Sequence, residues 1–355
     1  MKSGNVRIRI GIFVASLTIL GAIIYQAVHM GKPTESQVAE SDKTSVENSN
    51  HWIALVIEFT NAEHSKQYLE GAREEAKRLG VRLEILDAKN NRKMMAHMID
   101  DAILRDADGI MISHGSPEAL TASVKRSLNR GIPVVAFDCE IPLHEVTKID
   151  QDDKRIAEMS LRRILKNTGG KANLVLIWVG GYAPMDKRMN VYRRFMSEHP
   201  GLKEVIRFGE ATADTAMYTQ INMKSVLDSH PVGTINVVWA TWDEFAKGAA
   251  QAIKDAGRTE IKLYGIDVSN EDLKYLQDPN SPWIETVAVD PRSIAKVQLR
   301  LLVRAVKGEK IPERYALTPR LVTKTMLPKD VQVTMDNLHK YVPDWEKTEE
   351  YEVNQ

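Results

Sequence analysis

The stretch WIALVIEFTNAEHSKQYLEGAREEAKRLGVRLEILDAKNN, residues 52–91, decides the fold. Its first eight residues, WIALVIEF, form a short apolar run of the kind a strand buried on both faces produces. Residues 62–79 then space Tyr68, Leu69, Ala72, Ala76 and Leu79 along one side of a helix. Gly80 supplies the stop, because glycine takes the left-handed conformation that ends helices without a Cβ clash. VRLEILDA (81–88) returns to strand. A strand, helix and strand of these lengths make a right-handed crossover, which places two parallel strands in one sheet with a helix over its face.

Working outward, the alternation continues. Residues 92–105 form a helix, GIMIS (109–113) a strand, 117–129 a helix and IPVVAFD (132–138) a strand. After a break around 149–153 a second series starts with a helix over 154–166 and ANLVLIWVG (172–180) as a strand. A helix over 185–198, VIRFG (205–209), a helix over 214–228, INVVWA (235–240) and a helix over 242–255 follow. IKLYGID (261–267), WIETVAVD (283–290) and a helix over 294–307 complete the series. Two consecutive α/β halves predict two Rossmann-like lobes, each with a parallel sheet, and a cleft between them.

The whole chain has 355 residues, with 48 Lys and Arg balancing 48 Asp and Glu. A zero net charge argues against a nucleic-acid binder, which needs surplus cations. One cysteine, Cys139, allows no intramolecular disulfide and no thiolate metal cage. Residues 10–28 carry no charge, follow Lys2, Arg7 and Arg9, and precede Glu35, Glu40 and Asp42. That length matches roughly 30 Å of bilayer hydrocarbon, and the basic flank orients the remainder outside the cytoplasm. Residues 1–30 therefore read as a signal anchor, with a cleaved signal peptide as the alternative. Residues 31–50 are polar enough to form a flexible stalk.

In open α/β sheets, ligands bind beyond the carboxyl ends of strands. The candidates at those places are Glu58, Asn61, His64, Ser113, His114, Asp138, Arg188, Trp242, Asp243, Asp267 and Asp290. Carboxylates there accept hydrogen bonds from vicinal hydroxyls, and an arginine fork donates to ring and hydroxyl oxygens. A tryptophan face packs against the C–H surface of a small ligand. Each has a plainer reading: Asp243 as a helix cap, Arg188 as a helix-face charge, Trp178 and Trp239 as core. The methionines of KMMAHM (93–98) read as core filling rather than soft-metal ligands. No G-x-S-x-G, H-E-x-x-H or phosphate-loop pattern occurs, so no catalytic residue, cofactor or metal is expected.

Residues 52–91, DADGIMISHGSPEAL, RGIPVVAFDCE, VVWATWDEFAKGAAQAI and LYGIDVSNED resemble, in this order, type I periplasmic binding proteins of the ribose/galactose class. The resemblance spans about 52–322. It implies lobes of 51–150 with 291–316 and 151–290 with 317–327, a C-terminal extension from 328 to 355, and hinge crossovers near 149–152, 289–291 and 316–320. It also implies a sugar-like ligand, captured by closure for an ABC permease. A sensor passing occupancy to a histidine kinase or chemoreceptor is the alternative, and an enzyme of the same α/β class the outsider. DNA-binding relatives of this architecture are disfavoured, because residues 1–50 contain no helix-turn-helix. Asp138 and Asp267 fall at the family's ligand-contact positions. The departures are equally informative: Cys139 replaces an arginine, Glu58 a small polar residue, and Val289 an amide. His64 and Ser65 replace an aromatic clamp, and Trp242 an asparagine. These changes predict a more acidic pocket suited to a pentose other than ribose, a hexose, a polyol or an amine-bearing ligand.

Overall fold

The computed structural model describes residues 51–345, 347 and 350–352. The apolar run 10–28 and the polar stretch 31–50 lie outside them. Among the described residues no helix is long and apolar enough to cross a membrane.

The first series runs β1 (Trp52–Ile57), α1 (Glu63–Leu79), β2 (Arg82–Asp87), α2 (Arg92–Leu104), β3 (Gly109–Ser113), α3 (Pro117–Asn129), β4 (Val134–Phe137) and β5 (Thr147–Asp150). The second runs α4 (Asp153–Asn167), β6 (Ala172–Ile177), α5 (Ala183–Glu198), β7 (Leu202–Phe208), α6 (Thr215–Ser229), β8 (Val237–Ala240) and α7 (Asp243–Asp255). It continues through β9 (Lys262–Ile266), α8 (Asn270–Gln277) and β10 (Trp283–Ala288). Then come α9 (Pro291–Val306), β11 (Arg314–Leu317), β12 (Arg320–Thr323) and β13 (Glu350–Glu352).

Two sheets result, with strand orders β13-β11-β5-β4-β3-β1-β2 and β12-β10-β9-β8-β6-β7. All pairings are parallel except β10 with β12 and β11 with β13. Side-chain alternation explains why each sheet is covered on both faces. In β1, Ile53, Leu55 and Ile57 enter one core while Trp52, Ala54 and Val56 enter another. In β6, Val175 and Ile177 face one core, and Leu174 and Leu176 the opposite one.

Along the described strands the chain changes sheet four times: after β5, after β10, between β11 and β12, and again between β12 and β13. The 316/317 division expected from the sequence falls inside β11, because Leu317 still belongs to the first sheet's strand. Gly71 sets how closely α1 and α9 approach, since a Cβ there would lie 2.3 Å from the Arg292 carbonyl oxygen.

Several elements differ from the sequence reading. β5 has only four residues and includes Lys148, whose buried ammonium is satisfied by Glu313 at 2.9 Å and the Leu143 carbonyl at 2.9 Å. Helix α9 starts at Pro291 rather than 294, because proline suits the first helical turn and Asp290 caps it by accepting from Arg292 N at 3.0 Å. The extension beyond 327 is anchored as well. Val333, Met335, Leu338, Val342 and Trp345 are buried in the second lobe's core. The Gln277 amide donates to the Pro328 and Val331 carbonyls and accepts from Val333 N.

Candidate functional site

A cavity of about 440 Å³ opens where the carboxyl ends of both sheets face each other. From the first sheet's loops come Asn61, His64, His114 and Asp138, and Gln151 joins them from the first crossover. From the second come Val179, Tyr182, Met185, Arg188, Trp242 and Asp267. Seven of the eleven residues expected from the sequence therefore meet in one place.

The other four are placed differently. Glu58 is buried beside the cavity, where it accepts from Arg92 Nε at 2.9 Å and Gly115 N at 2.8 Å. The Ser113 hydroxyl lies 3.0 Å from His114 Nδ1. Asp243 opens α7, and its carboxylate accepts from Glu244 N at 2.8 Å. Asp290 caps α9 and lines a separate cavity of about 340 Å³.

His114, Asp138 and Asp267 directly follow β3, β4 and β9, and all three adopt left-handed backbone, with φ of 64°, 51° and 71°. Asn, Asp and His enter that region more readily than other side chains, at a cost the surrounding fold must offset. Three such residues lining one cavity mark a place where side-chain direction outweighs backbone comfort.

The electrostatics are those of a buried polar floor. Arg188 is fully enclosed; its guanidinium donates to Asp153 at 2.8 Å and to the Thr241 carbonyl at 2.5 Å, and Asp267 stands 3.7 Å away. Burial opposes its charge, but Asp153, Asp267 and Asp138 more than compensate. Burial, reinforced by Asp153, pushes Asp138 well above the usual carboxylate range, and burial also raises Asp267 against the pull of Arg188. His64 and His114 are lowered to about 4, chiefly by burial, so both imidazoles are neutral at pH 7. His64 Nε2, Gln151 Oε1, Asp138 Oδ1 and Asp267 Oδ1 are buried without a hydrogen-bond partner in the chain. Buried polar atoms are normally paired, so four orphans lining one cavity point to hydroxyls supplied by a ligand.

The sequence reading did not commit to Gln151, Tyr182 or Met185. Tyr182 and Met185 lie within two turns of Arg188, and Gln151 lies in the first crossover, but a helix start and a crossover have no periodicity that would single out a particular side chain. Trp242 reaches the cavity edge-on to Phe245, with ring centroids 5.5 Å apart. Trp239 is core, donating from its indole to Ser160 Oγ at 3.0 Å. Cys139 is buried and its thiol is pushed up to about 12 by burial, so it is not a nucleophile at neutral pH.

Residues 53–310 match the family model of the periplasmic binding protein domain. The chain belongs to that family. Among its relatives is the ribose import binding protein of Escherichia coli (strain K12), 26% identical over 77% of this chain and 90% of that one. Two solved structures stand nearer. The 5-methylthioribose transporter solute-binding protein from Thermotoga lettingae TMO, in complex with 5-methylthioribose, is 36% identical, covers 83% of this chain and 92% of its own, and gives a TM-score of 0.79. A sugar ABC transporter protein from Yersinia enterocolitica subsp. enterocolitica 8081 is 32% identical over 89% and 94%, with a TM-score of 0.80. This periplasmic binding protein is thus a solute-binding protein of the sugar-import class, an extracytoplasmic component of ABC transport. The class binds substrates rather than transforming them.

Proposed function

We propose that the cleft captures a pentose-type sugar bearing an apolar substituent, such as 5-methylthioribose, and presents it to an ABC permease. The observation that carries this reading is the division of the cavity lining by chemistry. The four orphaned polar atoms, with Asn61 and the Arg188 network beside them, suit a hydroxyl-rich body. Val179, Tyr182, Met185 and Trp242 of the second lobe, with Phe59 and Ala62 of the first, suit an apolar arm. The 36% identity to a protein bound to 5-methylthioribose supports the same pairing. The lobes formed by 51–150 with 291–317 and by 151–290 with 318–327 close on the ligand by hinge motion through the crossovers.

Thermal shift with the purified protein tests this. 5-Methylthioribose should raise Tm by several degrees and ribose by less. Stabilisation by ribose alone would remove the apolar arm from the reading. No stabilisation by any pentose, hexose or polyol would remove the sugar itself. The uncharged run 10–28 with its basic flank supports tethering at the membrane outside the cytoplasm. The mass of the mature chain checks it: retention of residues 1–30 and recovery in the membrane fraction are expected, and a start beyond residue 25 means cleavage.

A further inference from the structure

We propose that Arg92 and Tyr182 form a latch across the cleft, closing it over the bound ligand and setting how long the ligand stays. Arg92 is the first residue of α2, on the first lobe, and Tyr182 immediately precedes α5, on the second. The Arg92 guanidinium carbon lies 5.2 Å from the centre of the Tyr182 ring. That is within range for the cation–quadrupole attraction between a guanidinium and an aromatic face. Tyr182 lines the sugar cavity, whereas Arg92 does not. The latch therefore acts on the ligand through Tyr182, and Arg92 is a positioning residue.

The arginine is held in place from behind. Its Nε donates to Glu58 Oε1 at 2.9 Å, and Glu58 Oε2 accepts from Gly115 N at 2.8 Å. Glu58 is also fixed through its backbone, donating to the Ser113 carbonyl at 3.1 Å and accepting from Asn90 N at 2.6 Å. Three loops of the first lobe thus converge on one buried carboxylate whose free edge aims a guanidinium across the gap. This gives Glu58, an unusual residue after the first strand, a purpose other than touching the sugar.

The contact joins two bodies that the hinge separates, so it exists only in the closed arrangement and biases the equilibrium toward it. A second cross-lobe pair, Lys187 with Glu140 at 2.7 Å, sits beside Arg188, and changing it would disturb the pocket floor. Arg92 gives the cleaner test.

The inference rests on the cleft being the ligand site, and two experimental arms keep the two claims apart. In the ligand-free protein, spin labels on Lys125→Cys in α3 and Lys224→Cys in α6 report the lobe separation. Both positions are exposed, and the buried native Cys139 does not compete for label. Arg92→Ala should shift the distance distribution toward open forms, and an unchanged distribution overturns the latch whatever the ligand is. In stopped flow with 5-methylthioribose, Arg92→Ala should raise koff about 3- to 30-fold and leave kon within about twofold. Failure of the unmutated protein to bind 5-methylthioribose counts against the ligand reading and leaves the label arm to decide the latch. In the ligand-free label measurement Tyr182→Phe, which keeps the ring, should give the distance distribution of the unmutated protein. Tyr182→Leu should open the lobes as Arg92→Ala does, and the double variant should open them no further. Additive effects would show that Arg92 acts only through Glu58. If Arg92→Ala does not fold, Arg92→Lys and Tyr182→Leu carry the same comparison.

Discussion

Arg188 and Asp153 form an ion pair at 2.8 Å in which neither side chain reaches solvent. Asp153 comes from the first turn of α4, directly after the first crossover, and Arg188 from the second turn of α5. The pair therefore ties the hinge exit to the floor of the sugar cavity. Arg188 also keeps Asp267 and Asp138 from being uncompensated charges in a buried site. Removing one member of a buried pair costs about 3–5 kcal/mol, because the other charge is left without a partner. Arg188→Met should destabilise the protein by about that much in urea unfolding at pH 7. A loss below about 1 kcal/mol would mean the carboxylates have other compensation.

Asp138 should separate binding from stability. Its folded-state pKa is raised, so its contribution is favourable below the unfolded value and is lost as pH rises through the folded one. At pH 7 the carboxylate therefore costs stability. Asp138→Asn should keep or raise the Tm of the free protein while weakening sugar affinity by about 10- to 100-fold, the usual range for a charged hydrogen bond. Unchanged affinity in calorimetric titration would remove Asp138 from the contact set.

His64 gives a pH signature of opposite sign. Its folded pKa of about 4 lies below the ordinary value of 6.5. The unfolded chain therefore takes up the proton first, and stability is lost as pH falls from about 6.5 toward 4. Against His64→Gln, the native protein should lose on the order of 2 kcal/mol between pH 7.5 and 5. Expressing the result as a difference between the two proteins cancels the aspartates, several of which titrate in this range with the reverse sign. Parallel stability curves for the two proteins would place the imidazole in contact with solvent.

Gly265 and Gly71 should reject alanine. A Cβ on Gly265 would stand 2.6 Å from the Trp283 ring, and one on Gly71 would meet the Arg292 backbone. Gly71 has the less room to adjust, because backbone rather than a side chain opposes it. Each alanine variant should lose about 1–3 kcal/mol or more, with Gly71→Ala the worse. Equal Tm values for variants and parent would show that α1 and α9 can separate freely.

The alternation of short apolar runs with amphipathic helices was enough to assign two lobes of parallel sheet, because strand period and helix period differ and neither needs a partner to be visible. It did not mark β5, β11, β12 or α8. TKID and RYAL are four residues long and carry charges that only become tolerable beside Glu313 and Glu140. Nor could the local pattern place the extension, whose Trp345 and Leu338 look like any exposed apolar residues until the second core surrounds them.

For the site, the sequence determined which side chains end the strands, and hence that His114, Asp138 and Asp267 would reach one cleft. It could not decide what each would meet there. Glu58 and Asp290 also end strands, yet Arg92 and Gly115 engage one and a helix N-terminus the other. The physical reason is that strand ends are a local property, whereas a polar atom's partner comes from distant chain brought near by packing. Only the tertiary structure tells a carboxylate that is already paired from one that is buried and still lacks a donor.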